Sequence, residues 1–125
     1  MIRRAILLWL GLFALIVAVG FAMGLHSDII VPYIYSFGNE EQKQKWLPGM
    51  VSGAIVGAIA MTEPGTGSDL QAIKTNAVPD GDGYRLNGSK TFITNGQLAD
   101  VIIVAAKTDP KAGGKGMTLF LLDGD

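Results

Sequence analysis

The 125-residue chain is close to charge balance, with ten Lys and Arg against eleven Asp and Glu. That balance, and the lack of any basic cluster with interleaved aromatics, argues against a nucleic-acid surface. With no cysteine and one histidine, disulfides, thiolate metal sites and cysteine nucleophiles are excluded, and an ordinary histidine-based metal site lacks ligands.

The N-terminus carries Arg3 and Arg4, after which Ala5 to Leu25 runs without a charge. As a helix this run would be about 31 Å long, enough to cross a bilayer. Residues 1–25 therefore read as an apolar helix, either a membrane span or a signal. A buried helix of a larger helical domain is the alternative.

His26, Ser27 and Asp28 are the residue types of a catalytic triad, but neighbours on one backbone rarely converge on one nucleophile. Ser27 or Asp28 is better read as the cap of a helix starting at Ile29, with Pro32 in its first turn. Gly38 closes that helix. Asn39 and Gln42 form a capping box for the next, Glu40 to about Leu47, with Glu40 and Glu41 at its positive end. Pro48-Gly49 marks its weakening, so residues 26–53 are expected to be helical.

Ala54 to Met61 is an uncharged apolar run, consistent with a buried strand. Pro64, Gly65 and Gly67 then forbid regular structure. In Met61-Thr62-Glu63-Pro64-Gly65-Thr66-Gly67-Ser68-Asp69 the glycines can take positive φ and let a ligand approach the main chain, while Thr62, Thr66 and Ser68 offer hydroxyls. Such a loop suits a phosphate or a flavin edge.

The remainder reads as strands. Lys74 to Val78 is followed by the turn cluster Pro79 to Gly83. Tyr84 to Gly88 alternates apolar with polar, and Thr91 to Thr94 is β-branched and aromatic until Asn95-Gly96 turns it. Val101 to Ala106 and Met117 to Leu122 are further strands, separated by the loop from Asp109 to Gly116. The expected class is α+β, N-terminal helices followed by an antiparallel β-barrel-like domain over residues 54–125. Gly65-x-Gly67-x-x-Leu70 lacks the third glycine of a dinucleotide fingerprint. Gly83 to Lys90 has P-loop spacing with Ser and Lys exchanged, inside a strand pattern, and is read as coincidence.

The Thr62-Glu63-Pro64-Gly65-x-Gly67-Ser68-Asp69 signature, the Lys90-Thr91-Phe92-Ile93-Thr94-Asn95-Gly96 segment and the upstream Asn39 to Gly53 together resemble the acyl-CoA dehydrogenases. Leu25 to Ile29 looks like the long-chain branch. The resemblance implies a helical domain, a middle β domain and a C-terminal helical bundle, of which this chain is expected to hold the end of the first and most of the second. It implies FAD as cofactor, acyl-CoA as substrate, electron-transfer flavoprotein as partner, a tetramer in the full-length family, and a cytoplasmic location, or a membrane-anchored one through residues 5–25.

Carried over residue by residue, Ile59, Ala60, Met61, Thr62, Glu63, Pro64, Gly65, Thr66, Gly67 and Ser68 match the flavin-contacting segment. Ser68 also matches the serine close to acyl-CoA. Phe92, Ile93 and Thr94 match the segment in which the aromatic shields one flavin face and the threonine bonds N5. The family's catalytic carboxylate belongs to the third part, so no catalytic residue is assigned here, and Glu63 is not promoted to that role. The alternative is a membrane-anchored, non-catalytic binding module built on the same β domain. Without the loop beside it, Phe92 would read as ordinary strand core.

Overall fold

The computed structural model describes residues 2–124, with side chains described from Arg4 onward; the terminal residues of the expected 1–25 and 54–125 segments lie outside it. The first feature is one long helical run. Helix α1 (Ile2–Gly24) passes through a π-helical turn, Leu25–Ile30, into α2 (Val31–Phe37) without a break. The expected cap at Ser27 or Asp28 is not formed: Gly24 is already helical at φ −61°, ψ −44°, and no side-chain cap bond is made there. The reason lies in Pro32. Proline has no N–H to donate and its ring crowds the carbonyl four residues back. Widening the turn accommodates it, and the Val31 N–H reaches back five residues to the His26 carbonyl.

Helix α3 (Glu40–Ser52) starts at the expected box, with the Asn39 side chain accepting from the Gln42 N–H and the Gln42 side chain accepting from the Asn39 N–H. It continues past Pro48, farther than the expected end near Leu47, and stops at Gly53, whose φ of +78° suits glycine. The extra turn is held by burial of Met50.

Five strands follow: β1 (Gly57–Ala60), β2 (Asn76–Asp80), β3 (Gly83–Asn87), β4 (Val101–Lys107) and β5 (Met117–Asp123). The β2–β3 hairpin and the β4–β5 pair are antiparallel, as expected. The antiparallel barrel is not formed. β1 runs parallel to β4, with Gly57 opposite Val101 and Ala60 opposite Val104, and β2 meets the far end of the same strand in parallel at Asn76 and Lys107. The sheet is mixed and open, in the order β1-β4-β2-β3 with β5 on β4. β1 can lie parallel to β4 because the long 61–100 segment between them provides the crossover that such a pair needs.

Thr91 to Thr94 is not a strand. Phe92 sits at φ +57° and Asn95 at φ +63°, incompatible with an extended backbone. Tight turns follow, the Gly96 N–H bonding the Ile93 carbonyl and the Leu98 N–H that of Asn95.

β4 is the centre of the sheet, with Val101, Ile103, Val104, Ala105 and Ala106 all buried. Ile30, Ile34, Trp46 and Met50 from the helices pack against Val101 and Ile103, each large side chain contributing about 1.5–3 kcal/mol by its burial. Gly57 allows the close approach: a Cβ there would stand 2.7 Å from Ile30 Cγ2 and 2.8 Å from Met50 Cε. The β1 strand is thereby pressed onto the helices, and the loop that leaves it starts from a fixed point.

Candidate functional site

Where β1 ends, Met61 to Ser68 leaves the sheet and immediately turns on itself. The Glu63 N–H bonds the Thr66 carbonyl at 2.9 Å and the Thr66 N–H returns to the Glu63 carbonyl at 3.0 Å. Pro64 and Gly65 form the tip, which suits Pro's fixed φ at the second position of a turn. Neither Gly65 nor Gly67 is among the residues at positive φ. Their value lies elsewhere: a Cβ built on either meets nothing within 4 Å. Both glycines therefore bare backbone toward open space.

Beneath the turn the Glu63 carboxylate is buried and saturated. It accepts from the Lys74 N–H at 2.7 Å, the Thr75 N–H at 2.9 Å, the Thr75 hydroxyl at 2.5 Å and the Lys90 ammonium at 2.9 Å. Burial by itself would push this carboxyl up. The Thr75 hydroxyl, the Lys74 amide, the Lys90 ammonium and the Thr75 amide outweigh it and hold the pKa at about 2. An acid so held is a poor proton acceptor near neutral pH, so Glu63 serves as the internal strut of the loop. Thr66 is also turned inward, its hydroxyl donating to the Ala72 carbonyl.

Two segments distant in sequence are joined here. Lys90 Nζ also donates to the Met61 carbonyl at 2.9 Å, the Thr91 N–H bonds the Thr62 carbonyl at 3.0 Å, and the Thr62 hydroxyl donates to the Thr91 carbonyl. The Phe92 to Thr94 segment is thereby strapped beside Met61 to Ser68. Phe92 itself is 96% exposed, which rejects ordinary strand core packing for it. A bulky residue at positive φ is strained, and here no burial of the ring offsets the strain.

Of the thirteen residues matched to the cofactor segment, Pro64, Gly65, Gly67, Ser68 and Phe92 are exposed. Ile59, Met61, Thr62, Ile93 and Thr94 are partly exposed, whereas Ala60, Glu63 and Thr66 are buried. Among the described residues no group of three metal-ligating side chains occurs.

Four residues outside the expected cofactor set support the candidate site: Thr75 and Lys90, which hold Glu63, and His26 and Asn95. His26 Nδ1 accepts the Gly57 N–H at 3.0 Å, and Nε2 pairs with the Met50 carbonyl at 3.1 Å. These partners require the neutral tautomer with the proton on Nε2. Histidine thus pins β1 to α3. The sequence marks Asn95 as the start of the Asn95-Gly96 turn, which its tolerance of the left-handed region suits; its long-range amide bonds had no sequence signal.

Residues 5–54 match the acyl-CoA dehydrogenase N-terminal domain and residues 58–125 match the acyl-CoA dehydrogenase middle domain. The pig (Sus scrofa) mitochondrial long-chain specific acyl-CoA dehydrogenase is 54% identical over 106 residues, covering 83% of this chain and 25% of that protein. The solved acyl-CoA dehydrogenase from Geobacillus kaustophilus is 59% identical, with a TM-score of 0.80 over 82% of this chain and 28% of that one. PigA, solved as its FAD complex, is 41% identical, with a TM-score of 0.82 over 86% of this chain and 28% of its own. The chain spans about a quarter of the length of the curated relatives it matches. With both domains matched at this level of identity, the chain belongs to the acyl-CoA dehydrogenase family.

Proposed function

We propose that Met61 to Ser68 and Phe92 to Thr94 form one wall of an FAD site, and that the chain carries the flavin-binding part of an enzyme that desaturates acyl-CoA between Cα and Cβ. One observation carries this reading: an aromatic side chain almost wholly exposed on strained backbone, in a segment bonded to the start of a loop whose two glycines look onto open space. Strain of this kind clusters at ligand and active sites, and PigA, whose fold 86% of this chain shares, is solved with FAD. The β domain over residues 54–125 would hold the cofactor, with residues 26–53 as the helical part packed behind it.

In this reading the bared backbone at Gly65 and Gly67 admits the cofactor closely, Phe92 covers one face of its ring system and excludes water, and the Thr94 hydroxyl bonds the ring edge. Ser68, exposed at the end of the loop, faces the acyl-CoA. Bound FAD would supply the acceptor for a hydride leaving the substrate's Cβ. The Cα proton needs a base, and Glu63 is unavailable because its four hydrogen bonds and depressed pKa keep it ionised and enclosed. We therefore assign this chain cofactor binding without turnover on its own.

Titration of the chain with FAD, followed by flavin fluorescence and visible absorption, tests the cofactor half; the expected result is weak binding. Acyl-CoA oxidation is expected only when the remaining family domains are supplied. Oxidation by the chain alone would overturn the missing-base assignment. Failure to retain flavin even with those domains present would overturn the cofactor reading.

A second reading has its own observation. From Ile6 to Met23 the large apolar side chains of α1 are exposed all round the helix, including five in succession from Ile6 to Leu10, and a helix that is apolar on every face needs a nonaqueous environment. A non-catalytic module anchored by this helix would float with lipid vesicles and would fail to take up flavin in the reconstituted assembly.

A further inference from the structure

Asn95 occupies an unusual place in this site. Its own backbone is left-handed at φ +63°, three residues after the strained Phe92. Its side-chain nitrogen donates to two backbone carbonyls, Ala22 in α1 at 3.1 Å and Gly57 in β1 at 3.4 Å. Both partners are acceptors, which fixes the amide with its NH2 toward them. Gly57 is engaged through its preceding peptide as well, its N–H donating to His26 Nδ1. One side chain therefore ties the loop carrying Phe92 to the strand from which Met61 to Ser68 departs, and to the end of α1.

The ties at the two ends of this loop differ in kind. At the Lys90 end, the ion pair and the Thr62–Thr91 bonds hold the chain before Phe92. At the other end the Gly96 and Leu98 N–H groups bond within the turn itself, to Ile93 and Asn95, and the next backbone tie to the β1 side comes only at Asp100, which exchanges bonds with Val56 through its N–H and its carboxylate. The local bonds shape the turn without fixing its place on the protein. Between Thr91 and Asp100 the Asn95 amide supplies that anchorage.

We propose that Asn95 is the positioning residue of the site: its amide bonds to Ala22 and Gly57 hold Phe92 to Thr94 in the orientation that meets the cofactor. It acts through those three residues. The loop-holding half stands on the hydrogen bonds alone; the cofactor half rests on the flavin reading above.

Two substitutions separate the contributions. Asn95→Gly keeps access to the left-handed backbone and removes the amide. Asn95→Asp keeps size and shape but turns a carboxylate toward two carbonyl oxygens. Amide exchange of the apo chain, read by mass spectrometry on peptides covering residues 91–98, should accelerate roughly tenfold in Asn95→Gly. Peptides covering β4 should not change. Unaltered exchange at residues 91–98 would overturn the proposal.

FAD titration of the same proteins gives a second, independent readout. Asn95→Gly should bind about tenfold more weakly and alter the visible circular dichroism of the flavin, with Asn95→Asp at least as impaired. If wild-type chain binds FAD and Asn95→Gly matches it in affinity and dichroism, positioning is wrong. Recovery by Asn95→Asp would likewise refute the role of the donor. If wild-type chain takes up no FAD, the flavin reading fails for this chain, while accelerated exchange in Asn95→Gly would still establish the loop-holding role.

Discussion

The Glu63 carboxylate and the Lys90 ammonium meet at 2.9 Å with side-chain exposures of 7% and 12%, so the two signature segments of the site are joined through a buried ion pair. Pairs of this kind do not stabilise greatly over an apolar substitute, but breaking one from a single side leaves an uncompensated charge. Lys90→Met should therefore destabilise the chain by about 3 kcal/mol. Glu63→Gln in the same background should recover part of that loss. Urea unfolding of the single and double variants measures both; additive losses would show that the two residues are not energetically coupled.

The same carboxylate makes a prediction about acid. Its folded pKa is about 2, below the ordinary value of 4.5, so between those values the unfolded chain binds the extra proton. Glu63 ionisation thus stabilises the fold in full above pH 4.5, and this contribution disappears as pH falls toward 2. The shift corresponds to a contribution on the order of 3 kcal/mol. Unfolding free energies measured from pH 6 down to pH 2 should fall more steeply in wild type than in Glu63→Gln. Equal slopes would place the acid sensitivity elsewhere.

Two glycines near Glu63 should respond in opposite ways to the same change. A Cβ on Gly88 would stand 2.3 Å from Thr75 Oγ1 and 2.7 Å from Thr75 Cα, displacing the residue that gives Glu63 two of its hydrogen bonds. Gly88→Ala should cost about 1–3 kcal/mol. At Gly65 the added methyl meets open space, and Gly65→Ala should leave stability unchanged or raise it by about 0.5 kcal/mol. On the proposed flavin reading it should nevertheless weaken FAD binding, because the methyl would enter the open space assigned there to the ligand. Thermal melts with and without FAD distinguish the two effects.

The elements legible from sequence were those set by local chemistry. Asn39 and Gln42 announce their capping box within four residues, and the run from Val101 to Ala106 announces a buried strand by composition alone. The Thr62 to Asp69 signature that resembles the family likewise stands in consecutive residues. What was not legible depends on distant contacts. The period-two pattern of a strand does not say which neighbour it will take, so the parallel pairing of β1 with β4 was hidden. Ser27 and Asp28 are good caps in isolation, but the apolar run before them has no proline, stays helical through its glycines, and a π turn absorbs Pro32. Phe92 has strong β preference, and only its neighbours' tertiary bonds place it at φ +57°.

Thr91 offers a test of packing at the seam. Its hydroxyl is buried with no hydrogen-bond partner among the described residues, although its backbone N–H and carbonyl both bond Thr62. Thr91→Val preserves the shape and removes the unsatisfied oxygen. The variant should be more stable by about 1 kcal/mol, seen as a rise in Tm of roughly 3–5 °C. A fall in Tm would show that the hydroxyl has a partner in solution.

Phe92 makes the sharpest separation of stability from function. With its ring exposed and its backbone left-handed, it contributes little burial energy and carries backbone strain of about 1–2 kcal/mol. Glycine adopts that conformation without the steric cost. Phe92→Gly should therefore unfold at higher denaturant than wild type, offset in part by the greater entropy of glycine in the unfolded chain. On the proposed flavin reading its FAD affinity should fall, since the wall proposed for the ring system would be gone. Phe92→Ala keeps a Cβ at the strained position and should lose affinity without gaining stability. A destabilised Phe92→Gly would mean that the ring packs on the protein itself, and equal FAD affinity in all three would remove Phe92 from the site.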